Sequence, residues 1–391
     1  NLRGLNVCIQ KGLVERFDST IGASTVLMPF GGKNQLTPAE GMVAKIPCDG
    51  ETSTATAMTF GFDAEISEKS PFHGAIDAVT SSLAKLVAIG ADYSKAYLTF
   101  QEYFEKLGDN AEKWGKPLSA LLGAFIAQKN FNVAAIGGQA SMSGTFENLN
   151  VPPTLVSFAV AVVDAQKVIS PEFKAANHKI YLIKCPRDKD NVPKFDLLKA
   201  NFAKIHDLIW AGKIISAMSV QSGGISECIS KMAIGNDIGF KFAADVDIFA
   251  KNYGSLIVEA VEELDFELLG ETISESVIKY GDEIITLNKI KKALTEPLEK
   301  IFPTQINTSA QIIPDKLYQS GKKLSSKIKI ARPRVFIPVF PGTNCEYDTA
   351  KAFKIAGGEP DIFIVKNLTP AAVEESISIM AEKIRQSQII M

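Results

Sequence analysis

A cysteine follows a Pro-Gly-Thr-Asn turn in the run VFIPVFPGTNCEYD, and this position is one where a nucleophile could stand. A thiol at a strand–turn–helix corner can attack a substrate if a nearby base activates it. A nucleophile elbow, however, has glycine two residues before and two residues after the nucleophile, where Cys345 has Thr343 and Tyr347. The three histidines of the chain lie far from it in sequence. We therefore predict that Cys345 is not catalytic.

Two glycine-rich stretches could present backbone N–H groups to an anion. In AIGGQASMSGTF, paired glycines follow a predicted strand, and Gln139, Ser141 and Ser143 add side chains that form hydrogen bonds. In SVQSGGISECISKM, Ser-Gly-Gly opens a predicted helix, whose N-terminus can bind a phosphate. An ordinary glycine turn also explains the first stretch, and helix capping alone explains the second. The spacing leaves both alternatives open.

Two further polar stretches also have a functional and a structural interpretation. The alternation in DGETSTATAM predicts a half-buried strand, and Asp49 and Glu51 are either metal ligands or its solvated end. His73 in SPFHGAIDAV lies at a helix start and is either structural or catalytic. His178 and His206 are predicted on a surface or helix face. Since no His, Cys and Asp residues recur with metal-ligand spacing, we do not expect structural zinc.

The composition is that of a globular protein with more than one domain. The chain has 391 residues, 46% hydrophobic and 22% charged, which predicts two or three domains. A net charge of -2 and the absence of a long apolar run give no reason to expect nucleic-acid or membrane partners. Five singly spaced cysteines and no signal-like N-terminus predict reduced thiols and a cytoplasmic protein. The opening Asn1 and the closing QIIM suggest a fragment of a longer chain.

Hydrophobic patterns predict three blocks along the chain. In the first, PLSALLGAFIAQKN suits a buried helix, while NVAAIGG and TLVSFAVAVV suit strands. In the second, KFDLLKANFAKIHDLIWAG predicts an amphipathic helix ending at Gly212, and NKIKKALTEPLEKIF predicts a helix broken by Pro297. In the third, VFIPVF, DTAKAFKIAGG, EPDIFIVKN, PAAVEESISIMAEKIRQ and QIIM alternate as strand and helix. That order predicts the beginning of a parallel, doubly wound sheet.

Together these stretches resemble the large, single-chain phosphoribosylformylglycinamidine (FGAM) synthase family. The resemblance rests on segments that follow the family's order through the whole chain: LVERFDSTIGASTVLMPFGGKNQLTPAEG, SPFHGAIDAV, LTFQEYFEKLG, WGKPLSALLGAFIAQ, IGGQASMSGTF, VPPTLVSFAVAV, SGGISECISKM and FPGTNCEYDTAKAF.

The resemblance implies a mixed α+β and α/β fold with four parts. Residues 1–165 correspond to the second A domain of the synthetase core, which is PurM N-terminal-like, and residues 166–325 to the second B domain, which is PurM C-terminal-like. Residues 326–333 would be a linker, and residues 334–391 the truncated start of a class I glutaminase. In that family the catalytic thiol of the glutaminase lies in a later nucleophile elbow, so the resemblance also implies that Cys345 is not catalytic. It implies instead that Cys345 lies in a functional loop near the glutamine pocket of the complete domain.

The implied activity is that of an ATP-dependent C–N ligase of purine biosynthesis with glutamine as amido donor. The full enzyme converts formylglycinamide ribonucleotide (FGAR), glutamine and ATP to FGAM, glutamate, ADP and phosphate, with Mg²⁺ on the nucleotide. We expect this half to complete or scaffold the synthetase site, to be inactive alone, and to pair with the missing N-terminal half or with a second copy of itself. The fragment itself would then bind no cofactor.

The resemblance also assigns residues to a shared active site. It implies that Gly138 contacts ATP, that Gln139 contacts the metal, and that Ser141 contacts substrate, with Thr99 and Gln101 in a neighbouring substrate-binding pattern. The family's Glu-Thr-His-Asn-His-Pro motif reads Glu-Thr-Ser-Thr-Ala-Thr in residues 51–56, so this half supplies no catalytic histidine.

A second, auxiliary nucleotide site of the family is predicted to be degenerate here. Its Glu and Asn correspond to Ser81 and Lys85, and its His-Asp-x-Ser-Asp-Gly-Gly motif reads MSVQSGG, which includes Ser219 and Gln221. An ammonium cannot ligate Mg²⁺, and a serine hydroxyl is a poor substitute for a carboxylate.

Two alternatives compete with this interpretation. This half could be a purely structural member of a pseudo-dimer, with no ligand contacts. It could also be a free-standing aminoimidazole ribonucleotide synthetase relative, although such a relative would have no glutaminase-like segment.

Overall fold

The computed structural model describes residues 1–17, 24–48, 50–243, 246–305 and 329–391. The chain divides into two units, Asn1–Thr308 and Ser309–Met391. The helices of the first unit are α1 (Lys11–Val14), α2 (Ala64–Lys69), α3 (Pro71–Ala88), α4 (Ala111–Phe131), α5 (Phe195–Trp210), α6 (Gly224–Asn236) and α7 (Leu287–Glu299). Its strands are β1 (Phe30–Gly31), β2 (Thr37–Pro38), β3 (Met42–Lys45), β4 (Thr54–Gly61), β5 (Tyr97–Tyr103), β6 (Ala134–Ser141), β7 (Thr145–Phe146), β8 (Leu149–Asn150), β9 (Thr154–Asp164), β10 (Lys179–Ile183), β11 (Ile214–Ser219), β12 (Gly239–Phe242), β13 (Leu256–Ala260), β14 (Glu267–Ile273), β15 (Val277–Tyr280) and β16 (Glu283–Thr286).

A five-stranded sheet in the order β3-β4-β9-β5-β6 carries the first predicted block. Burial alternates residue by residue along β4 and β9, as expected for strands with one face against a core. The buried face packs on α3, which begins with Ser70 as its N-cap and Pro71 in its first turn. The predicted strands in DGETSTATAM, NVAAIGG and TLVSFAVAVV are confirmed.

Helix α4 packs on α3 through small residues, and this corrects the prediction that α4 is buried. Its buried positions include Ala120, Gly123, Ala124 and Ala127. The two helices approach so closely that a Cβ at Gly123 would meet the backbone oxygen of Phe72. Close packing of two helices through small residues leaves the larger apolar side chains on the opposite face. That exposed face consists of Trp114, Leu118, Leu121, Leu122 and Phe125.

A seven-stranded sheet in the order β11-β13-β10-β14-β12-β15-β16 carries the second block. Its neighbouring strands run antiparallel, apart from the parallel pair β12 and β15. One face contributes Tyr181 and Val258 to the core that contains α3 and α5, and the other contributes Ile180 and Ile257 to a core with α6.

Two helix ends in this block test the sequence predictions. Helix α5 ends at Trp210, and Gly212 follows with a positive φ of 73°, which confirms the glycine cap. The prediction that Pro297 breaks α7 is wrong, because the helix continues to Glu299. A proline in the last turn removes one hydrogen bond, and the buried residues Leu287, Ile290 and Leu294 already hold the helix against α6.

The second unit contains β17 (Arg334–Val339), α8 (Glu346–Ile355), β18 (Glu359–Ile364), α9 (Pro370–Gln386) and β19 (Ile389–Ile390). These strands form a parallel sheet in the order β18-β17-β19, with the central strand contributing the buried Val335, Phe336 and Ile337. The predicted alternation of strand and helix is confirmed.

The finer domain limits stay predictions. The predicted boundary at residue 165 falls between β9 of the five-stranded sheet and β10 of the seven-stranded sheet. The two sheets nevertheless belong to one compact unit. Residues 306–328, which include the end of the predicted B domain and the start of the predicted linker, lie outside the described residues, as does Asp49. In the part of the chain that is described, no helix is both long and apolar enough to cross a bilayer.

Candidate functional site

The face of the five-stranded sheet that points away from α3 is called here the outward face, and strand register arranges its side chains in rows. The rows, in order, are Met42, Met58, Val160 and Tyr97; Phe60, Phe158, Thr99 and Gly137; Val156, Gln101 and Gln139; and Thr154, Tyr103 and Ser141. The first two rows are largely apolar, and the last two are largely polar. One continuous surface therefore has an apolar end and a polar end.

Four of the predicted ligand-contacting residues come together, three of them in the polar rows and Thr99 in the adjoining apolar row. Gln101 on β5 pairs with Gln139 on β6, and Thr99 and Ser141 occupy the flanking rows of the same face. Both glutamines are exposed, and Ser141 is half-buried. The hydroxyls of Ser141 and Ser143 are 2.8 Å apart and form a hydrogen bond. These amides and hydroxyls can donate to or accept from a polar group brought to this edge of the sheet.

Gly138, the predicted ATP contact, has the opposite register and is constrained by its own sheet. Its partner across the strands is Phe100, whose side chain belongs to the buried face. A Cβ at residue 138 would lie 2.3 Å from the backbone oxygen of Phe100, whereas a Cβ at Gly137 would meet nothing within 4 Å. Strand packing is therefore a sufficient reason for glycine at this position.

The predicted auxiliary site also comes together, but its residues are buried. Ser81, Lys85 and Ser219 are each at most 8% exposed, and Gln221 is half-buried. The Gln221 amide donates to the Ser219 hydroxyl at 2.5 Å, and the backbone N–H of Ser219 donates to Glu40 at 2.9 Å. Ser219 and Gln221 are thus hydrogen-bonded within the chain, whereas the buried hydroxyl of Ser81 has no hydrogen-bond partner among the described residues. That this auxiliary site is degenerate stays a prediction.

The helix start in SGGISECISKM is satisfied within the chain. The N–H of Gly223 donates to the Glu227 carboxylate at 2.6 Å, and the N–H of Gly224 donates to the Gln221 carbonyl at 2.9 Å. The N–H of Ser226 donates to the Ile248 carbonyl at 2.8 Å. Capping, the second of the two alternatives for this stretch, accounts for these donors.

Of the remaining sequence candidates, His73 has structural partners and Glu51 lies at a solvated strand end. Both ring nitrogens of His73 have partners, the Ser70 hydroxyl at 2.8 Å and the Asp190 carbonyl at 3.0 Å. Glu51 is almost fully exposed beside Lys45. Across the described ranges, no three His, Cys, Asp or Glu side chains are grouped to hold a metal ion.

Cys345 lies at the corner between β17 and α8, as the sequence indicated. It precedes the helix with a φ of 64°, its side chain is exposed, and its thiol lies 3.2 Å from the Asn344 side-chain oxygen. That the residue is not catalytic stays a prediction.

Sequence reasoning missed two acidic residues whose negative charges oppose the lowering of the Lys85 pKa by burial. Glu40 and Glu227 are both buried, and Glu227 pairs with Lys231 at 2.5 Å. The spacing of Glu227 and Lys231, four residues apart on a helix, was a readable signal for that pair. Glu40 lies in a polar loop sequence that gives no comparable signal.

Comparison with solved structures defines the class of fold. The chain aligns with Thermotoga maritima PurL complexed with FGAR at a TM-score of 0.54 and 12% identity, covering 78% of this chain and 53% of that one. It aligns with the same protein complexed with ADP at a TM-score of 0.51 and 12% identity, covering 81% and 54%. The mixed α/β architecture is therefore of the PurL type.

Sequence comparisons confirm the resemblance to FGAM synthase. The chain is 21% identical over 331 residues to the synthase subunit PurL of Thermoplasma volcanium, covering 72% of this chain and 42% of that protein. It is 20% identical over 336 residues to the PurL subunit of Methanobrevibacter smithii, covering 75% and 45%. Residues 332–391 match the CobB/CobQ-like glutamine amidotransferase domain. The chain spans less than half the length of these curated relatives.

Proposed function

We propose that this chain forms the second half of the synthetase core of an FGAM synthase, joined to the first part of its glutaminase. The observation that carries the proposal is the order along one chain, in which a PurL-type fold precedes an amidotransferase segment at 332–391. A free-standing aminoimidazole ribonucleotide synthetase relative would lack that segment. The activity is that of an ATP-dependent C–N ligase of purine biosynthesis, with glutamine as amido donor.

In the proposed reaction, the glycinamide carbonyl oxygen of FGAR takes the γ-phosphoryl group of ATP, and ADP is released. Ammonia released from glutamine then attacks the activated carbon, and phosphate leaves to give the amidine. Mg²⁺ would supply charge neutralisation on the nucleotide. This half has threonines at residues 54 and 56 and no histidine in residues 51–56, so acid–base groups must come from elsewhere in the enzyme.

The outward face supports a role beside another half. Its apolar rows include Phe60 and Tyr97, each more than half exposed, and Val162 lies two residues beyond Val160 on the same face of β9 and is also more than half exposed. An apolar patch of this kind is typical of an interface. We propose that the first half of the synthetase covers it, and that a second copy of this chain occupies it when the first half is absent.

At the polar end, we propose that Gln101, Gln139 and Ser141 contact substrate or metal held by the opposite half, with Thr99 beside them. Their exposure favours this role over the alternative of a scaffold with no ligand contacts. We assign Gly138 to strand packing, with any ATP contact limited to its backbone.

We also propose that the auxiliary nucleotide site is degenerate. The burial of Ser81, Lys85 and Ser219 and the internal bond of Gln221 support this. Isothermal calorimetry with ADP and Mg²⁺ should show no tight binding to this chain. Tight ADP binding that is lost in a Ser81→Tyr variant would contradict the proposal.

The central experiment compares Ser141→Ala and Ser143→Ala in the complete synthase. Both variants remove the hydrogen bond between the two hydroxyls, but only the first removes the hydroxyl on the polar row. We expect Ser141→Ala to lower kcat/KM for FGAR by roughly tenfold, with glutaminase turnover unchanged. Equal FGAR kinetics in the two variants would favour the scaffold alternative.

A further inference from the structure

Helix α4 carries its exposed apolar side chains at a regular spacing. The exposed face of α4 consists of Trp114, Leu118, Leu121, Leu122 and Phe125, and each side chain is between 46% and 60% exposed. From Trp114 to Phe125 the apolar residues follow at steps of four, three and four, which are the steps of the a and d positions of a heptad repeat. Side chains with this spacing form one row along a helix, and such rows pack against a second helix.

The rest of α4 is already used by the fold. Its small residues pack on α3, and Lys113 and Lys116 bind the buried carboxylate of Glu105 at 2.8 and 2.5 Å. The indole N–H of Trp114 donates to the Gly108 carbonyl at 2.9 Å, which holds the ring on the exposed face. Within the described ranges, these contacts leave the apolar row without a packing partner.

We propose that the exposed face of α4 binds the same face of a second copy of this chain, with the two helices antiparallel. A two-fold axis at the middle of the row places Trp114 against Phe125 of the other copy, and Leu118 against its Leu121. The face is therefore complementary to itself.

A glycine beside the row agrees with this pairing. Gly115 lies within α4, where glycine is less favourable than alanine, and a Cβ at this residue would meet nothing within 4 Å. The packing of the described residues therefore gives no reason for glycine at residue 115. The proposed axis places Leu122 of the other copy opposite Gly115, so that a large side chain fills the space beside a small one.

The charges at the two ends of α4 favour the antiparallel orientation and a second copy as the occupant. Asp109 and Glu112 lie at the N-terminal end of the helix, and Lys129 lies in its last turn. All three side chains are exposed and form no ion pair among the described residues. Antiparallel helices bring Lys129 of each copy close to Asp109 and Glu112 of the other, and they place opposite ends of the helix dipoles side by side.

This surface is distinct from the outward face of the five-stranded sheet. Helix α3 packs on both the sheet and α4, so the two surfaces lie on opposite sides of α3. The five apolar side chains present on the order of 500 Å² per copy, and a pair would bury an area near the lower limit of specific interfaces. We therefore expect a weak dimer, whose formation does not depend on the synthetase function.

Analytical ultracentrifugation of the 391-residue chain tests the proposal. Tyr97→Glu serves as the background, because Tyr97 is 57% exposed on the outward face and a charge there blocks association through the sheet. We expect this chain to dimerise with a Kd of roughly 10–100 µM. Adding Leu118→Glu should give a monomer over that range. Leu197→Glu is the matched control, since Leu197 is a leucine of similar exposure on α5, and it should leave the dimer unchanged.

Charge reversal at the helix ends tests the orientation. Lys129→Glu should weaken the dimer roughly fivefold, because it places like charges together at both ends of the pair. Adding Asp109→Lys and Glu112→Lys should restore the original affinity. Failure of this restoration would show that the helices are not antiparallel and would overturn the proposal.

Two results would show that no second copy binds this face: a monomer in the Tyr97→Glu background, or a dimer that Leu118→Glu leaves intact. Melting temperatures within about 2 °C of one another show that the variants are folded. If Tyr97→Glu does not fold, Val162→Lys takes its place on the outward face. A monomeric chain that bound the first half of a synthase through Leu118 would assign the face to that half, and the proposal would be wrong.

Discussion

The guanidinium of Arg187 donates a hydrogen bond to the carboxylate of Asp77 across 2.7 Å, joining the loop after β10 to helix α3. Both side chains are largely buried, and Arg187 also donates to the backbone carbonyls of Asn191 and Tyr253. The pair therefore connects two parts of the first unit that the sequence separates by 110 residues.

Replacing Arg187 with methionine should destabilise the first unit strongly. Loss of one partner leaves a buried carboxylate unpaired, which costs about 3–5 kcal/mol. Thermal unfolding of Arg187→Met should therefore begin well below that of wild type. Lys213→Met is the control, since Lys213 pairs with Glu262 at 2.7 Å on the surface. Similar melting temperatures for the two variants would contradict the claim that the buried Arg187–Asp77 pair stabilises the fold more than the surface pair does.

The deficit of Arg187→Met should also depend on pH. Burial raises the pKa of Asp77 above its ordinary value of 3.8, and Arg187 opposes that shift. Without Arg187 the pKa rises further, so the folded state binds a proton more tightly than the unfolded state does. Stability is then lost as pH rises from about 4 through the raised pKa. The stability difference between variant and wild type should be smaller near pH 4 than at pH 7 by urea titration, and a larger difference near pH 4 would be the wrong sign.

Adjacent glycines in β6 should differ sharply in their tolerance of alanine. A Cβ at Gly138 would lie 2.3 Å from the Phe100 carbonyl oxygen, while a Cβ at Gly137 would meet open space. We expect Gly138→Ala to cost roughly 1–3 kcal/mol because the strands must move apart. Gly137→Ala should be near neutral. Denaturant titrations measure both, and equal midpoints would show that packing does not explain the glycine at residue 138.

Helix α4 should show opposite responses on its two faces. Phe131 is buried, and its ring packs against Phe195, Phe202 and Tyr93, so Phe131→Ala should cost about 3–5 kcal/mol. Phe125 lies on the exposed face, so Phe125→Ala should leave the free energy of unfolding nearly unchanged. A large decrease in the free energy of unfolding of Phe125→Ala would instead support the prediction that α4 is a buried helix.

Native thiol labelling should divide the five cysteines into two groups. Cys48 and Cys345 are exposed, whereas Cys8, Cys185 and Cys228 are buried. Burial raises the pKa of Cys185 to about 12 and also raises the pKa of Cys228, so little thiolate forms at neutral pH. Iodoacetamide at pH 8 should modify the first two thiols, as mass spectrometry of the intact chain can count. Rapid labelling of Cys185 in the folded protein would contradict this assignment.

Secondary structure was largely predictable because burial follows simple periods. The alternation of β4 and the strand–helix order of the second unit could be read directly from apolar residues. The exposed face of α4 could not, since apolar side chains on opposite sides of a helix look alike until the partner helix is known. The prediction at Pro297 was wrong because a proline near a helix end removes only one backbone hydrogen bond, and packing already holds the helix in place.

The sequence indicated which candidate residues lie near one another, but not how far each is buried; their roles stay predictions. Strand register brought Gln101 next to Gln139, and the buried cluster gathered Ser81, Lys85 and Ser219. Glu40 joined that cluster through long-range folding, which no local pattern in its loop could indicate. The packing constraint on Gly138 likewise depends on a backbone oxygen of a different strand.

The row arrangement of the outward face has a genetic consequence. Apolar and polar rows lie two residues apart along the strands of the same surface, yet they involve different residues, such as Phe60 and Tyr97 against Gln101 and Ser141. Under the proposed function, substitutions in the apolar rows should abolish assembly and spare chemistry, and substitutions in the polar rows should do the reverse. A selection that scores growth and complex formation separately would recover two classes of separation-of-function alleles within this single sheet.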